Sequence, residues 1–124
     1  MLFSSDKAIY IQICEMLQKR ILEGQLEPEA RIPAVRDLSV ELEVNPNTVV
    51  KSFTQLEEEG IIYKKRGLGY FVEKNALDTI KNKMRENFIH CELPNLARTL
   101  VILDIPLSQI EAACRSYSEQ RIKE

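Results

Sequence analysis

Apolar residues Ile9, Ile13, Met16, Leu17 and Ile21 recur at helical spacing, predicting an amphipathic helix over residues 7–23 that Gly24 stops. A connector carrying two prolines follows, from Leu26 to Pro33. The helical pattern returns over residues 34–42, with Val35, Leu38 and Leu42 on one face. Glu43-Val44 makes a turn. Asn45 is then a good N-cap, and Pro46 suits the first helical position, where its missing N–H would have no partner anyway. This next helix should run to about Glu59 and end at Gly60. Val49, Phe53 and Leu56 form its inner face, so the helical period sends Asn47, Lys51 and Thr54 to the outer one. Residues 61–65 and 69–73 read as two short strands around an Arg66-Gly67-Leu68-Gly69 turn.

The character of the chain changes at Asn75, which can cap a helix carrying Leu77, Ile80, Met84, Phe88 and Cys91 close to a heptad seam. Pro94 should end or kink that helix near Leu93. Leu96, Ala97, Leu100, Val101 and Leu103 continue the apolar content up to a break at Asp104-Ile105-Pro106. A last helix would hold Leu107, Ile110, Ala113, Cys114 and Tyr117, with Ser108 and Glu111 at capping-box spacing.

Helix, turn, helix and basic hairpin in that order describe a winged helix-turn-helix, an architecture suited to entering a DNA groove. The expected fold is therefore mainly α with a small β-hairpin. A winged helix-turn-helix DNA-binding domain would occupy residues 1–74, and a helical dimerisation region residues 75–124. The tail of about 50 residues is too small to bury its own apolar faces. Leu77, Ile80, Met84, Phe88, Leu96, Leu100, Ile110 and Tyr117 are the expected dimer contacts, the alternative being packing within one chain.

Charge sharpens this picture. The net charge of −2 is unusual for a DNA binder, but its distribution is uneven. Residues 44–56 hold Lys51 and no acid, and residues 61–72 hold Lys64, Lys65 and Arg66 and no acid. Asp37, Glu41, Glu43 and Glu57-Glu58-Glu59 lie elsewhere. Non-specific DNA affinity should thus be modest, since it scales with the phosphates neutralised. The weakly acidic sum leaves a second reading open, a winged-helix protein-interaction module that does not read DNA.

Other chemistry is sparse. The three cysteines, Cys14, Cys91 and Cys114, are widely spaced among apolar residues and are expected to be buried free thiols. His90-Cys91 are adjacent and would point apart on a helix, so no metal site is expected. No cofactor is expected either. With a single histidine and no Gly-rich phosphate loop, the chain does not read as an enzyme. No apolar run approaches the roughly 20 residues that span a bilayer. The N-terminus lacks a basic segment followed by an apolar one, so a cytoplasmic location is expected.

Five stretches together carry a specific resemblance. They are Ile9-Tyr10-Ile11-Gln12-Ile13, Gly24 to Pro28, Ile32-Pro33-Ala34-Val35-Arg36-Asp37-Leu38, Val44 to Val49, and Leu56 to Ile62 continuing through Gly67 to Val72. Over residues 7–73 the chain resembles the GntR family of bacterial transcription regulators, and its short helical tail resembles the YtrA-type subfamily. The resemblance implies a dimeric, sequence-specific DNA-binding regulator, expected to be a repressor, on a two-fold symmetric operator. By analogy the target would be a transporter operon, and a small-molecule effector of unknown identity is left open. It also implies that Arg36 reaches DNA, often a guanine, and that Asn45, Asn47 and Thr48 contact bases and phosphates. Gly67 would be the wing-tip glycine near the minor groove. The outward Lys51 and Thr54 and the wing residues Lys64, Lys65 and Arg66 complete the expected DNA-binding set; for Arg36 a surface salt bridge to Asp37 or Glu41 is the alternative. Two positions depart from the family. Ala34 replaces the usual Ser, losing a helix cap and a phosphate contact. Glu29 replaces the usual Gly, which suggests a turn of different shape.

Overall fold

The computed structural model describes residues 3–123. The chain forms two compact units, one running through Lys83 and the other starting at Met84. In the first unit, α1 (Ile9–Leu22), α2 (Val35–Leu42) and α3 (Pro46–Glu58) precede a hairpin of β1 (Ile62–Lys65) and β2 (Gly69–Val72). α4 (Ala76–Asn87) begins in this unit. The hairpin is antiparallel, in a register that sets Ile62 opposite Val72 and Lys65 opposite Gly69.

Ile13, Leu17 and Ile21 of α1 pack with Leu38 and Leu42 of α2 and with Val49, Phe53 and Leu56 of α3. Ile61, Ile62 and Val72 bring the hairpin onto this core. A two-stranded hairpin is marginal by itself, and here it leans on the helices. It also gains part of a third strand from the connector. Val72 N–H donates to Ala30 O at 2.9 Å and Ile32 N–H to Tyr70 O at 3.0 Å. The connector is thus pinned along the wing before α2 starts.

Glu29 lies in this pinned stretch with φ +67°, the left-handed conformation that favours glycine. The turn therefore keeps the shape a glycine would give it, contrary to the expectation of a different one. Its N–H donates to Val72 O at 2.8 Å, and that bond holds the conformation.

The expected boundary after residue 74 falls inside the first unit. Ala76 and Ile80 of α4 are fully buried in the winged-helix core, and Leu77 packs beside them. Ile80 is accordingly a core residue and not a dimer contact. An apolar stripe cannot by itself say which partner covers it.

In the second unit the regular α-helix does end ahead of Pro94, as expected, though the chain does not leave the helical path. Residues Phe88–Glu92 form a π-helical turn, in which Leu93 N–H reaches back to Phe88 O, and α5 (Leu93–Ile102) follows with proline in its first turn. Proline lacks an N–H and its ring crowds the carbonyl four residues earlier, so a wider turn just upstream accommodates it. α6 (Leu107–Lys123) completes the unit. Gln109 N–H bonds to Pro106 O at 3.1 Å, which places Ser108 inside α6 and not at its cap. Glu111 pairs with Arg115 at 3.4 Å, so the capping box does not form.

Of the three free cysteines only Cys14 is buried; Cys91 and Cys114 are exposed, against expectation. Both sit on helices with too little surrounding chain to cover them. Among the described residues no helix is long and apolar enough to cross a membrane.

Candidate nucleic-acid interface

The turn between α2 and α3 is built by the backbone. Glu43 takes φ +55°, and the Glu43 and Val44 N–H groups close on the Val40 and Ser39 carbonyls at 3.3 and 3.0 Å. This delivers Asn45 to the N-cap of α3, where its Oδ1 accepts the Asn47 N–H at 2.8 Å. The carbonyl of Asn45 is thus engaged in the cap, and its amide NH2 is the group left for a partner. Arg36 is exposed in the first turn of α2, and Ser39 Oγ donates to its carbonyl at 2.7 Å. The salt bridge considered as an alternative for Arg36 is not made with Glu41, which pairs with Arg20 at 3.2 Å.

On α3 the expected outer residues Asn47, Lys51 and Thr54 are exposed, whereas Thr48 is half-buried. Lys51 Nζ lies 4.2 Å from the centre of the Tyr10 ring, so a cation–π contact with α1 draws it to one edge of the face. The buried Ser52 hydroxyl lies 2.9 Å from Tyr10 O and 3.1 Å from Thr48 O and shares its one proton between them, joining α1 to α3 behind that edge. Thr54 Oγ1 donates back to Val50 O at 3.0 Å.

The wing separates its basic residues. Lys65 shares a strand face with Tyr63 and Phe71, with its Nζ 4.4 Å from the Phe71 ring centre. Lys64 projects to the other face beside Tyr70, which meets Phe53 of α3 edge-on at 5.0 Å. Arg66 and Leu68 are exposed at the turn, and Gly67 there has φ +78°, which an L side chain adopts only with strain. From Asn47 to Thr54 the outer face of α3 thus carries no acid, Glu57 and Glu58 following only in its last turn, and a cation-bearing turn lies on the same scaffold.

Residues 9–72, just over half the chain, match the bacterial regulatory proteins of the gntR family. The chain belongs to the GntR family. Among its relatives is the HTH-type transcriptional repressor YtrA of Bacillus subtilis. The two are 40% identical over a stretch covering 61% of this chain and 58% of that protein. A GntR-family protein from Bacteroides thetaiotaomicron has a similar crystal structure. It is 37% identical with a TM-score of 0.77, over 92% of this chain and 99% of that one. The DNA-binding domain of AraR, crystallised with operator ORX1, is 28% identical with a TM-score of 0.52, over 57% of this chain and 92% of that one. These relatives are regulators, and the GntR assignment sets the chain apart from enzymes.

Within this GntR domain the two departures have different consequences. Glu29 takes the left-handed conformation that a glycine would favour, as described above. Ala34 is the N-cap of α2 and provides no side-chain hydrogen bond, so the helix that carries Arg36 starts with its first N–H groups uncapped by a side chain.

Three residues of the face escaped the sequence reading. Arg31 bridges to Phe71 beside β2, and its guanidinium lies against Gly69, with Nε 3.3 Å from where a Cβ would stand. It is a fourth cation along the wing, hidden in a segment read only as a connector. Tyr10 was read only as part of a family motif. Its role beside Lys51 follows from the α1–α3 contact, which no local pattern specifies. Val50 could have been found by the spacing that found Asn47, but its apolar side chain gave no reason to expect it outside.

Proposed function

We propose that this protein is a dimeric, sequence-specific DNA-binding regulator that represses transcription by occupying a two-fold symmetric operator. The observation that carries the reading is the exposed outer face of α3 from Asn47 to Thr54, which holds no acid, together with the wing cations. α3 would enter the major groove, where base edges present a donor/acceptor code. Arg36 suits guanine O6 and N7, and Asn47 and Lys51 line the same approach. Asn45 and Thr48, at the helix start, suit phosphate, which helix N-termini attract. Lys64, Lys65, Arg66 and Arg31 would neutralise phosphates around the wing, with the Gly67 turn near the minor groove.

The dimer is inferred from the second unit. Met84, Phe88, Leu96 and Tyr117 are exposed, while Leu100 and Ile110 are half-buried. Pairing with a second copy would cover them, at about 25 cal/mol per Å² of apolar surface. Two symmetric copies would present their α3 helices to successive major grooves. Repression is carried over from the name of YtrA, and a cytoplasmic location follows from the task of reading chromosomal DNA. The test is a mobility shift on genomic promoter fragments at moderate salt, with sedimentation of the free protein. A discrete shift with a few fragments and a dimer at micromolar concentration are expected. No preference among fragments would overturn sequence reading, and a monomer would overturn the dimer.

A further inference from the structure

Val50 is 44% exposed on a helix whose neighbouring Val49 and Phe53 are essentially fully buried. It stands three residues after Asn47 and four before Thr54, so the three side chains line one strip of the outer face. The strip is more apolar than the sequence suggests. The Thr54 hydroxyl is turned to the Val50 carbonyl at 3.0 Å, which leaves its methyl for a partner. Lys51 is drawn aside over Tyr10. A β-branched residue in a helix has one strongly preferred χ1, so Val50 offers a fixed surface with no hydrogen-bonding atom.

We propose that Val50, with the methyl of Thr54 beside it, reads a thymine of the operator half-site through its C5-methyl group. The argument rests on α3 being the groove-reading helix. In the major groove the thymine methyl is the one apolar group on the base edges. A guanine or cytosine opposite Val50 would bring a polar edge against an isopropyl group that cannot replace its water. Such a contact selects A·T pairs without a hydrogen bond. It assigns the specificity of the strip to a residue with no polar chemistry, between Asn47 and Thr54.

The test uses the full-length protein and an operator obtained by selection from genomic fragments. Each thymine of one half-site is replaced in turn by deoxyuridine, which removes only the methyl, and affinity is measured by fluorescence anisotropy at fixed salt. At one or two positions the wild type should bind about three- to five-fold more weakly, the scale of one lost methyl contact. In Val50→Ala that penalty should largely vanish, while binding to the thymine operator falls by a similar factor. Thr54→Ser, which keeps the hydroxyl and loses the methyl, should act the same way on the same or the adjacent thymine. Alanine raises helix propensity, so Val50→Ala should fold, and circular dichroism checks that it does. If no thymine is sensitive, or if the sensitivity is unchanged in Val50→Ala, the proposal is overturned while groove reading stands. If selection enriches no sequence, the reading of α3 falls and the proposal with it.

Discussion

Lys83 Nζ lies 2.7 Å from Glu59 Oε1, so the fourth helix is tied by an ion pair to the end of α3. The other Glu59 oxygen is buried and has no hydrogen-bond partner among the described residues. Lys83 also reaches Gln18 Oε1 of α1 at 3.4 Å. The pair is only partly buried, which places it between the surface and interior cases. Lys83→Met keeps the aliphatic stem but leaves the carboxylate alone, and should cost about 1–2 kcal/mol in urea denaturation. Adding Glu59→Gln should recover part of the loss. Additivity of the two changes to within about 0.3–0.5 kcal/mol would show that the pair is not coupled.

This contact also marks where the sequence stopped being legible. The inner faces of α1, α2 and α3 were readable because each buries a helical stripe against the others, and Asn45-Pro46 announced the start of α3 outright. The fate of Ile80 was not readable. Its stripe runs continuously into Met84 and Phe88, and nothing local says that the first turns of α4 close the winged-helix core. The outward positions Asn47, Lys51 and Thr54 followed from period alone. The bonds that turn Lys51 to Tyr10 and the Thr54 hydroxyl to Val50 depend on packing and rotamers, which period does not set. Arg36 and Gly67 were assigned through family resemblance, and the structure adds that Arg36 is exposed on a carbonyl-pinned turn.

Glu29→Gly should stabilise the protein. The residue holds φ +67°, a conformation that costs an L side chain roughly 1 kcal/mol and glycine little. Part of the gain is offset because glycine enlarges the unfolded ensemble, leaving a net increase of about 0.5 kcal/mol. Thermal denaturation of the two proteins under one condition measures it. A lower midpoint for the glycine variant would mean that the Glu29 side chain contributes something its exposed position does not suggest.

Burial, reinforced by the nearby Glu59 carboxylate, pushes the Cys14 thiol up to about 11. In the unfolded chain a thiol titrates near about 8.5, so at alkaline pH the unfolded state loses this proton first. The stabilisation linked to Cys14 is therefore complete below about pH 8.5 and declines as pH rises toward 11. At pH 8 a thiol reagent should modify Cys91 and Cys114 promptly and Cys14 only in denaturant, as read by mass spectrometry. Rapid native labelling of Cys14 would contradict its burial. Protection of Cys91 or Cys114 would indicate that a second copy covers it.

Arg36→Ala should weaken operator binding by about 1–3 kcal/mol if the guanidinium makes a bidentate guanine contact. Stability should hold, because the side chain is exposed and the Ser39 bond goes to its backbone carbonyl. Arg36→Lys should recover little, since an ammonium cannot reproduce the planar fork. Unchanged affinity in a folded Arg36→Ala protein would remove Arg36 from the interface.

The place at which the tail is cut decides between a folded and a damaged DNA-binding unit. Truncation after Lys83 retains Ala76, Leu77 and Ile80, and with them the Lys83–Glu59 pair. Truncation after Glu73 removes all of these and opens the core where Ile80 was fully buried. Loss of one large buried aliphatic side chain costs about 2–5 kcal/mol, a large share of the stability of a small domain. The longer fragment should unfold cooperatively at a midpoint well above that of the shorter one, as followed by circular dichroism. If the second unit makes the dimer, the longer fragment should also sediment as a monomer and bind a half-site without preference for a palindrome. Equal stability of the two fragments would mean that α4 only rests on the winged helix. A dimeric longer fragment would place the interface in the first unit.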